Sequence, residues 1–365
     1  MNNLHEIALT LISGIGNVLV KQLISYCGSA ENIFKTPRGK LLKIPGIGEK
    51  LAAAIVEQDI MKKAEQQLKE IEKTQTKALF YTDAAYPQRL KVLHDSPAIL
   101  YVQGNIDLNC AKIVGIVGTR NASEYGKTVT EKIIEDLKTQ NPLIVSGLAY
   151  GIDIAAHKAA LKHQLPTIGI MASGLQTIYP TAHKKVAEQM KENGGILTEY
   201  AFGTKPDAPR FPERNRIIAG IVDVLVVVET GLKGGTLITV EVATTYNKPI
   251  LAVPGNLGVR TYEGCNELIR SHKANIYTNV DDLENIAGWT KKESKFTLPK
   301  FKIALDLPEN EQKIYTLLQK SGEIHLDDLA WQSQIPLSQL AGLLLNLEFQ
   351  GLVKSMKGKM FKAAE

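Results

Sequence analysis

From residue 112 onward the chain alternates short runs of Val, Ile and Leu with helical patterns, and this alternation limits the fold more than any other feature. Strands are predicted at 112–117, 143–146, 167–171, 195–199, 224–229 and 250–253. Helical periodicity fills the gaps at 124–139, 152–162, 182–192 and 236–246. Near-continuous apolar strands separated by helices imply a parallel sheet covered on both faces. The expected fold class is therefore α/β, a doubly wound parallel sheet. Ligands of such sheets bind outside the strand C-termini.

Both flanks have a different pattern. The first 76 residues read as short helices with an internal repeat. Ile12-Ser13-Gly14-Ile15-Gly16 and Ile44-Pro45-Gly46-Ile47-Gly48 each lead into an amphipathic helix. Glycines in such a turn expose backbone N–H groups at a helix N-terminus, which suits a phosphate. The second copy, IPGIGEKLAAAI, resembles a helix-hairpin-helix motif, with Gly46, Gly48 and Lys50 as candidate backbone contacts. A helical packing module that keeps the turn without the contact fits equally well. After a basic, proline-bearing linker expected at 290–308, three helices (310–319, 326–332, 337–349) and a hairpin around Lys357-Gly358 predict a winged helix over 309–365. Its third helix has no Arg or Lys, so protein contact is favoured there over DNA reading.

Composition narrows the class further. The chain has 365 residues, 44% hydrophobic and 22% charged, as expected of a globular protein. Its longest apolar runs fall far short of the ~20 residues of a membrane span. The first ten residues have no basic segment ahead of a long apolar one, so no signal peptide and a cytoplasmic location are expected. Cys27, Cys110 and Cys265 are widely spaced, which argues against a disulfide framework or a structural zinc site; no metal or cofactor is expected. The net charge of +5 permits a nucleic-acid partner. Of 43 basic and 38 acidic residues, 11 and 8 fall in 1–77 and 11 and 9 in 290–365, which leaves the central segment with 21 of each. Any polyanion site there must come from local convergence of cations.

Four segments at the predicted strand ends could supply that convergence. Gly118-Thr119-Arg120, with Ser123 close behind, follows the first strand and precedes a helix, yet lacks both the GxGxxG and the Walker patterns. Ser146-Gly147-Leu148-Ala149-Tyr150-Gly151-Ile152-Asp153 follows the second strand; Asp153 is expected to cap the next helix and to pair with His157, four residues on. Arg210-Phe211-Pro212-Glu213-Arg214-Asn215-Arg216 combines guanidinium groups with an aromatic face, the pairing that single strands use. Arg214 and Arg216, two apart on a helix, point in different directions. Gly234-Gly235-Thr236 opens a helix after a strand, again a backbone anion site. No nucleophile elbow, carboxylate cluster or kinase set appears, so the site reads as a binding site.

In this order and spacing, IVGTR, SGLAYGIDIAAH, Gly174 with Tyr179-Pro180, FPERNRIIAG, GGTLIT, and VPGNLG with GCNELI resemble the DprA/Smf family, the DNA-processing proteins of natural transformation. The resemblance covers most of the chain. It implies an extended Rossmann-like domain over 77–289, with a lead-in at 77–110, flanked by a helix-hairpin-helix domain at 1–76 and the winged helix. It also implies single-stranded DNA as ligand, protection of incoming strands, loading of the RecA recombinase and a homodimer formed through the Rossmann domain. The family's pocket maps onto Arg120, Arg214, Asn215 and Arg216, flanked by Gly118, Thr119 and Ser123. Tyr150 stands where the family often has a basic residue, which implies stacking in place of a cation contact. Gly147, Arg210, Phe211, Gly235 and Thr236 complete the expected DNA-binding set. An enzyme is the alternative: GGT after a strand, with Glu241 on the next helix, also resembles the lysine-decarboxylase-like nucleotide phosphoribohydrolases. That group lacks the FPxRNR stretch and places its acidic residue earlier.

Overall fold

The computed structural model describes residues 3–57, 59–289, 307–356 and 358–364. Two compact units divide near residue 290. The expected linker lies almost wholly outside the described residues.

The first unit begins with six helices, α1 (Leu4–Leu11), α2 (Asn17–Cys27), α3 (Ala30–Lys35), α4 (Arg38–Leu41), α5 (Glu49–Val56) and α6 (Asp59–Lys73). The repeated Gly-Ile-Gly turns precede α2 and α5 and pack reciprocally. A Cβ on Gly14 would meet Leu51 at 3.1 Å, and one on Gly46 would meet Leu19 at 3.0 Å. Leu19 and Leu51 occupy equivalent positions of the two repeats, so each turn holds the other's helix.

A nine-stranded sheet follows in the order β1-β2-β6-β5-β4-β3-β7-β8-β9. Its strands are β1 (Lys77–Phe80), β2 (Ile99–Asn105), β3 (Ile113–Val117), β4 (Leu143–Ser146), β5 (Thr167–Ile170), β6 (Gly194–Thr198), β7 (Val224–Val227), β8 (Ile250–Ala252) and β9 (Asn275–Ile276). All six predicted strands are present, and β3 to β9 pair parallel. The lead-in adds two strands that the pattern did not announce, β1 and β2, both paired antiparallel at one edge.

Side chains of β3 alternate between the two faces. Ile113 and Val117 pack with α7 (Gln88–Lys91), α11 (Arg210–Ile221), α12 (Gly235–Thr245) and α13 (Arg260–Arg270). Val114 and Ile116 pack with α8 (Glu124–Asp136), α9 (Ile152–Lys162) and α14 (Val280–Ile286). Each such fully buried aliphatic side chain stabilises the fold by roughly 1.5–3 kcal/mol. A third cluster joins the N-terminal helices and α10 (Lys184–Met190) to the β1–β2–β6 edge through Phe80, Tyr101 and Ile196. Polar contacts fasten the same junction: Gln67 exchanges two hydrogen bonds with the backbone of Phe202, and the Asn17 amide oxygen accepts from Ala98 N–H at 2.8 Å.

The second unit is a winged helix of α15 (Glu309–Ser321), α16 (Leu326–Ser333) and α17 (Leu337–Phe349), with β10 (Glu323–His325), β11 (Val353–Met356) and β12 (Met360–Ala363) in the order β10-β12-β11. Leu318, Leu329, Leu340 and Leu347 form its core.

Candidate nucleic-acid interface

β3 and β7 are neighbours, and from them the chain winds outward in opposite directions, to β4 on one side and β8 on the other. At the C-terminal ends of strands arranged this way a crevice is expected. A groove of about 810 Å³ opens there. One wall is Gly118-Thr119-Arg120 and another is the loop Thr230–Thr236 leading into α12. The third comes from α11 with Phe211, Arg214 and Asn215.

The loop after β3 is pinned from two sides. Thr119 N–H donates to the Glu229 carbonyl at 2.7 Å, and Ile152 N–H donates to the Thr119 carbonyl at 3.2 Å. Gly151, with φ of 79°, lets the next loop press against it; a Cβ there would stand 2.1 Å from the Thr119 oxygen. Beneath this loop the fully buried Glu229 accepts from Ser123 N–H at 3.0 Å and from the Ser123 hydroxyl. Ser123 in turn caps α8 by accepting from Gly126 N–H. Ser123 therefore shapes the floor and does not line the groove.

Arg214 is only 5% exposed, and its guanidinium donates to the Ile170 carbonyl at the end of β5. Asp153 faces it across Gly147. A Cβ on Gly147 would lie 2.5 Å from an Asp153 carboxylate oxygen and 2.8 Å from both terminal nitrogens of Arg214. Only a residue without a side chain leaves these two groups facing each other. Burial pushes the Asp153 carboxyl up to about 6, with Arg214 the largest opposing influence. Burial likewise lowers Arg214, with Asp153 opposing.

Two expectations for this loop need correction. The N-cap of α9 is Gly151, and Asp153 lies inside the first turn. Asp153 also does not pair with His157. In the neutral tautomer that fits both contacts, His157 Nε2–H donates to the Gly147 carbonyl at 2.5 Å, and Nδ1 accepts from the Thr167 hydroxyl at 2.7 Å. Both ring nitrogens are thereby engaged, and burial lowers the imidazole to about 4.

An aromatic rim completes the site. The Arg120 guanidinium lies over Phe211, and the Phe211 ring is 5.8 Å from that of Tyr179. Tyr150, 51% exposed, stands edge-on to His183 and lines a small recess that also contains Arg120, Phe211 and Arg214. Gly235 and Thr236, at the first turn of α12, line the opposite wall.

Arg210 and Arg216 are not brought into this groove. Arg210 donates to the Lys205 carbonyl at 2.6 Å and lies over the Tyr200 ring. Arg216 points the other way, donating to the Asp95 carbonyl at 2.7 Å and pairing with the Glu199 carboxylate. Gly147 sits below the groove, between Asp153 and Arg214. Gly46, Gly48 and Lys50 are exposed on the N-terminal helices and contribute nothing to the groove lining. Glu241 lines a separate depression with Thr244, Thr245 and Glu267. Lys233 and Tyr179 were not anticipated as site residues, yet both line the groove. The signal for Lys233 was its place directly before the Gly-Gly-Thr turn. Among the described residues no His, Cys, Asp or Glu cluster could hold a metal ion, and no helix is long and apolar enough to cross a membrane.

Comparison with known proteins finds matches for all three parts of the chain. Residues 77–287 match the family described as DNA recombination-mediator protein A. Residues 302–359 match the DprA winged helix domain, and residues 6–58 match a SAM-like helix-hairpin-helix tandem. Protein Smf of Synechocystis is 35% identical over 271 residues, covering 73% of this chain and 68% of the relative. The DNA processing protein DprA of Streptococcus pneumoniae is 38% identical over 201 residues, covering 55% of this chain and 71% of the relative. An X-ray structure of DprA from Streptococcus pneumoniae superposes with a TM-score of 0.67 and 31% identity, over 77% of this chain and 97% of that one. A DprA structure from Helicobacter pylori, described by its single-stranded DNA binding mode, superposes with a TM-score of 0.53 and 32% identity, over 58% of this chain and 94% of that one. With its central domain matched over more than half its length and relatives above 30% identity spanning two thirds of it, the chain belongs to the DprA/Smf family of DNA-processing proteins.

Proposed function

We propose that this chain binds single-stranded DNA in the groove above β3 and β7, protects it, and delivers it to a RecA-type recombinase, acting in the cytoplasm as a binding protein and not as an enzyme. One observation carries this reading. Within a domain whose charges balance, Arg120 and Arg214 converge on one groove that also offers the first turn of α12 and the Phe211 and Tyr179 rings. Cations and backbone N–H groups take phosphates, and aromatic faces take bases of any identity. Single strands satisfy both needs together; a duplex keeps its base faces stacked inside.

The domain division that goes with this reading is 1–76, 77–289, a linker at 290–308, and 309–365; the matched ranges 6–58 and 77–287 fall inside the first two, and the winged-helix match, 302–359, begins within the linker. Assembly as a homodimer through the sheet domain completes it. Fluorescence anisotropy with single- and double-stranded oligonucleotides over a salt series is the test. Tight, sequence-tolerant and salt-dependent binding of single strands is expected. Arg120→Ala should weaken it by about 1.5–3 kcal/mol, the contribution of a charge-assisted hydrogen bond. Wild-type affinity in that variant would exclude the groove. Recombinase delivery is read separately, as faster RecA filament growth on single strands when the protein is present.

A further inference from the structure

A second, separate cleft lies on the other side of the Thr119–Arg120 wall. α8 and α9 both start at the C-terminal edge of the sheet and run side by side over one face, and the cleft between them has a volume of about 340 Å³. Gly151 is at its head, and the same Gly151 packs against the Thr119 and Arg120 backbone. Its floor is small and apolar, formed by Ala155 and Ala159. Its rims carry Lys127 from α8 and Lys158 and Lys162 from α9, against Glu131 as the one carboxylate in the lining.

We propose that Lys127, Lys158 and Lys162 form a second phosphate track, beside the Thr119–Arg120 wall, along which a single strand leaves the groove. The inference rests on the single-strand reading above and adds the path of the strand beyond the groove. Three cations stand along the cleft against Glu131 in its lining and Glu124 beside Lys127, a local excess of positive charge in a domain with no net charge, which favours a polyanion. Lys158 and Lys162 are one helical turn apart, with Cβ atoms roughly 5–6 Å apart, a spacing close to that of successive phosphates in an extended strand. The Lys158 side chain is exposed and makes no hydrogen bond or ion pair among the described residues. Lys127 and Lys162 rest on Glu124 and Glu131 in exposed pairs, which water and salt loosen readily. From Gly151 to Lys162 the track runs about 16 Å, at 1.5 Å per helical residue. A nucleic-acid strand is favoured over an acidic peptide because Gly151, at the head of the track, packs directly against the Thr119–Arg120 backbone that forms the groove wall.

The test compares the full-length wild-type protein with the triple variant Lys127→Gln, Lys158→Gln, Lys162→Gln, using oligothymidines of about 6 and about 20 nucleotides. The short probe fills the groove alone and should bind both proteins equally. The long probe should bind the triple variant at least about tenfold more weakly at low salt. Its slope of log K against log salt should fall by about 2, at ~0.7 per phosphate released from a single strand. Equal long-probe affinity and slope in the two proteins would overturn the track. Arg120→Ala separates this result from failure of the groove reading. If that variant binds the short probe like wild type, the groove assignment falls. A long-probe loss in the triple variant still supports the lysine face in that case.

Discussion

Arg120 and Phe211, 91 positions apart in the chain, meet at the mouth of the groove with the guanidinium carbon 5.3 Å from the ring centroid. The contact orients a cation whose other face stays open. It also means that neither residue acts alone. Phe211→Ala should cost about 1–3 kcal/mol of single-strand affinity through lost base stacking. It should also release Arg120, whose ring contact contributes about 0.5–1 kcal/mol at an exposed site. The two substitutions are therefore expected to couple. In a double-mutant cycle read by anisotropy, the loss in Arg120→Ala/Phe211→Ala should be smaller than the sum of the single losses. Strict additivity would show that the two groups bind the strand independently.

Arg216 gives the opposite expectation, despite lying in the same basic stretch. Its guanidinium joins Glu199 and the Asp95 carbonyl, and Glu199 also accepts from Asn17 at the start of α2. Burial raises the Glu199 carboxyl, and Arg216 is the first of the groups that oppose this. Arg216→Ala would leave that carboxylate buried without its cation, an arrangement that typically costs about 3–5 kcal/mol. The urea midpoint should fall sharply while the affinity of the remaining folded protein for single strands stays within a factor of about two, well under 1.4 kcal/mol. An affinity loss matching that of Arg120→Ala, at unchanged stability, would return Arg216 to the DNA surface.

Much of the site was legible because parallel strands buried on both faces must be apolar throughout, and Gly-rich turns mark where they end. The direction of each arginine was not legible. The six residues of the FPERNR stretch show a helix start without the Glu199 that captures Arg216 or the Ile170 carbonyl that holds Arg214. Those partners come from other strands and appear only when the sheet closes. Asp153 fits a capping pattern locally, yet the cap falls two residues earlier, at Gly151, where the backbone packs closely on Thr119. β1 and β2 escaped notice because one is four residues long and both lie antiparallel at an edge. The N-terminal repeat predicted two equivalent turns, whereas Asn17 and Lys21 of the first copy are tied to the 93–98 segment.

Asp153 and His157 titrate against each other in their effect on stability. The Asp153 carboxyl is raised to about 6 by burial, so its contribution is complete below the unfolded value near 4 and is lost as pH rises through 6. The His157 imidazole is lowered to about 4 by burial, so its contribution is complete above the unfolded value of ~6.5 and is lost as pH falls through 4. Over pH 4–6 the two slopes oppose, and the wild-type urea midpoint should vary little from these groups. Asp153→Asn should uncover the histidine slope, with stability rising from pH 4 to 6.5. His157→Gln should uncover the aspartate slope, with stability falling from pH 4 to 6. Parallel pH profiles in the two variants would contradict this assignment.

Gly151 links the fold to the groove by the close fit of its backbone. It stands at the N-cap of α9 with φ of 79° and ψ of −124°, a region that L side chains avoid. A Cβ there would lie 2.1 Å from the Thr119 oxygen and 2.6 Å from the Arg120 carbonyl carbon and oxygen. The Thr119–Arg120 backbone has little room to withdraw, because the Glu229 carbonyl holds it from the far side and Ile152 N–H bonds to it from the near side. Gly151→Ala should therefore lower stability by about 1–3 kcal/mol through backbone strain alone, and displace Arg120 enough to weaken single-strand binding. Gly39→Ala in α4 is the control: open space surrounds it, so it should be neutral or stabilising by up to ~1 kcal/mol. Urea midpoints and anisotropy on the same preparations decide the matter. If Gly151→Ala matched the control in both readings, the loop after β3 would be free to move, and Arg120 would not be held in place by its contact with Gly151.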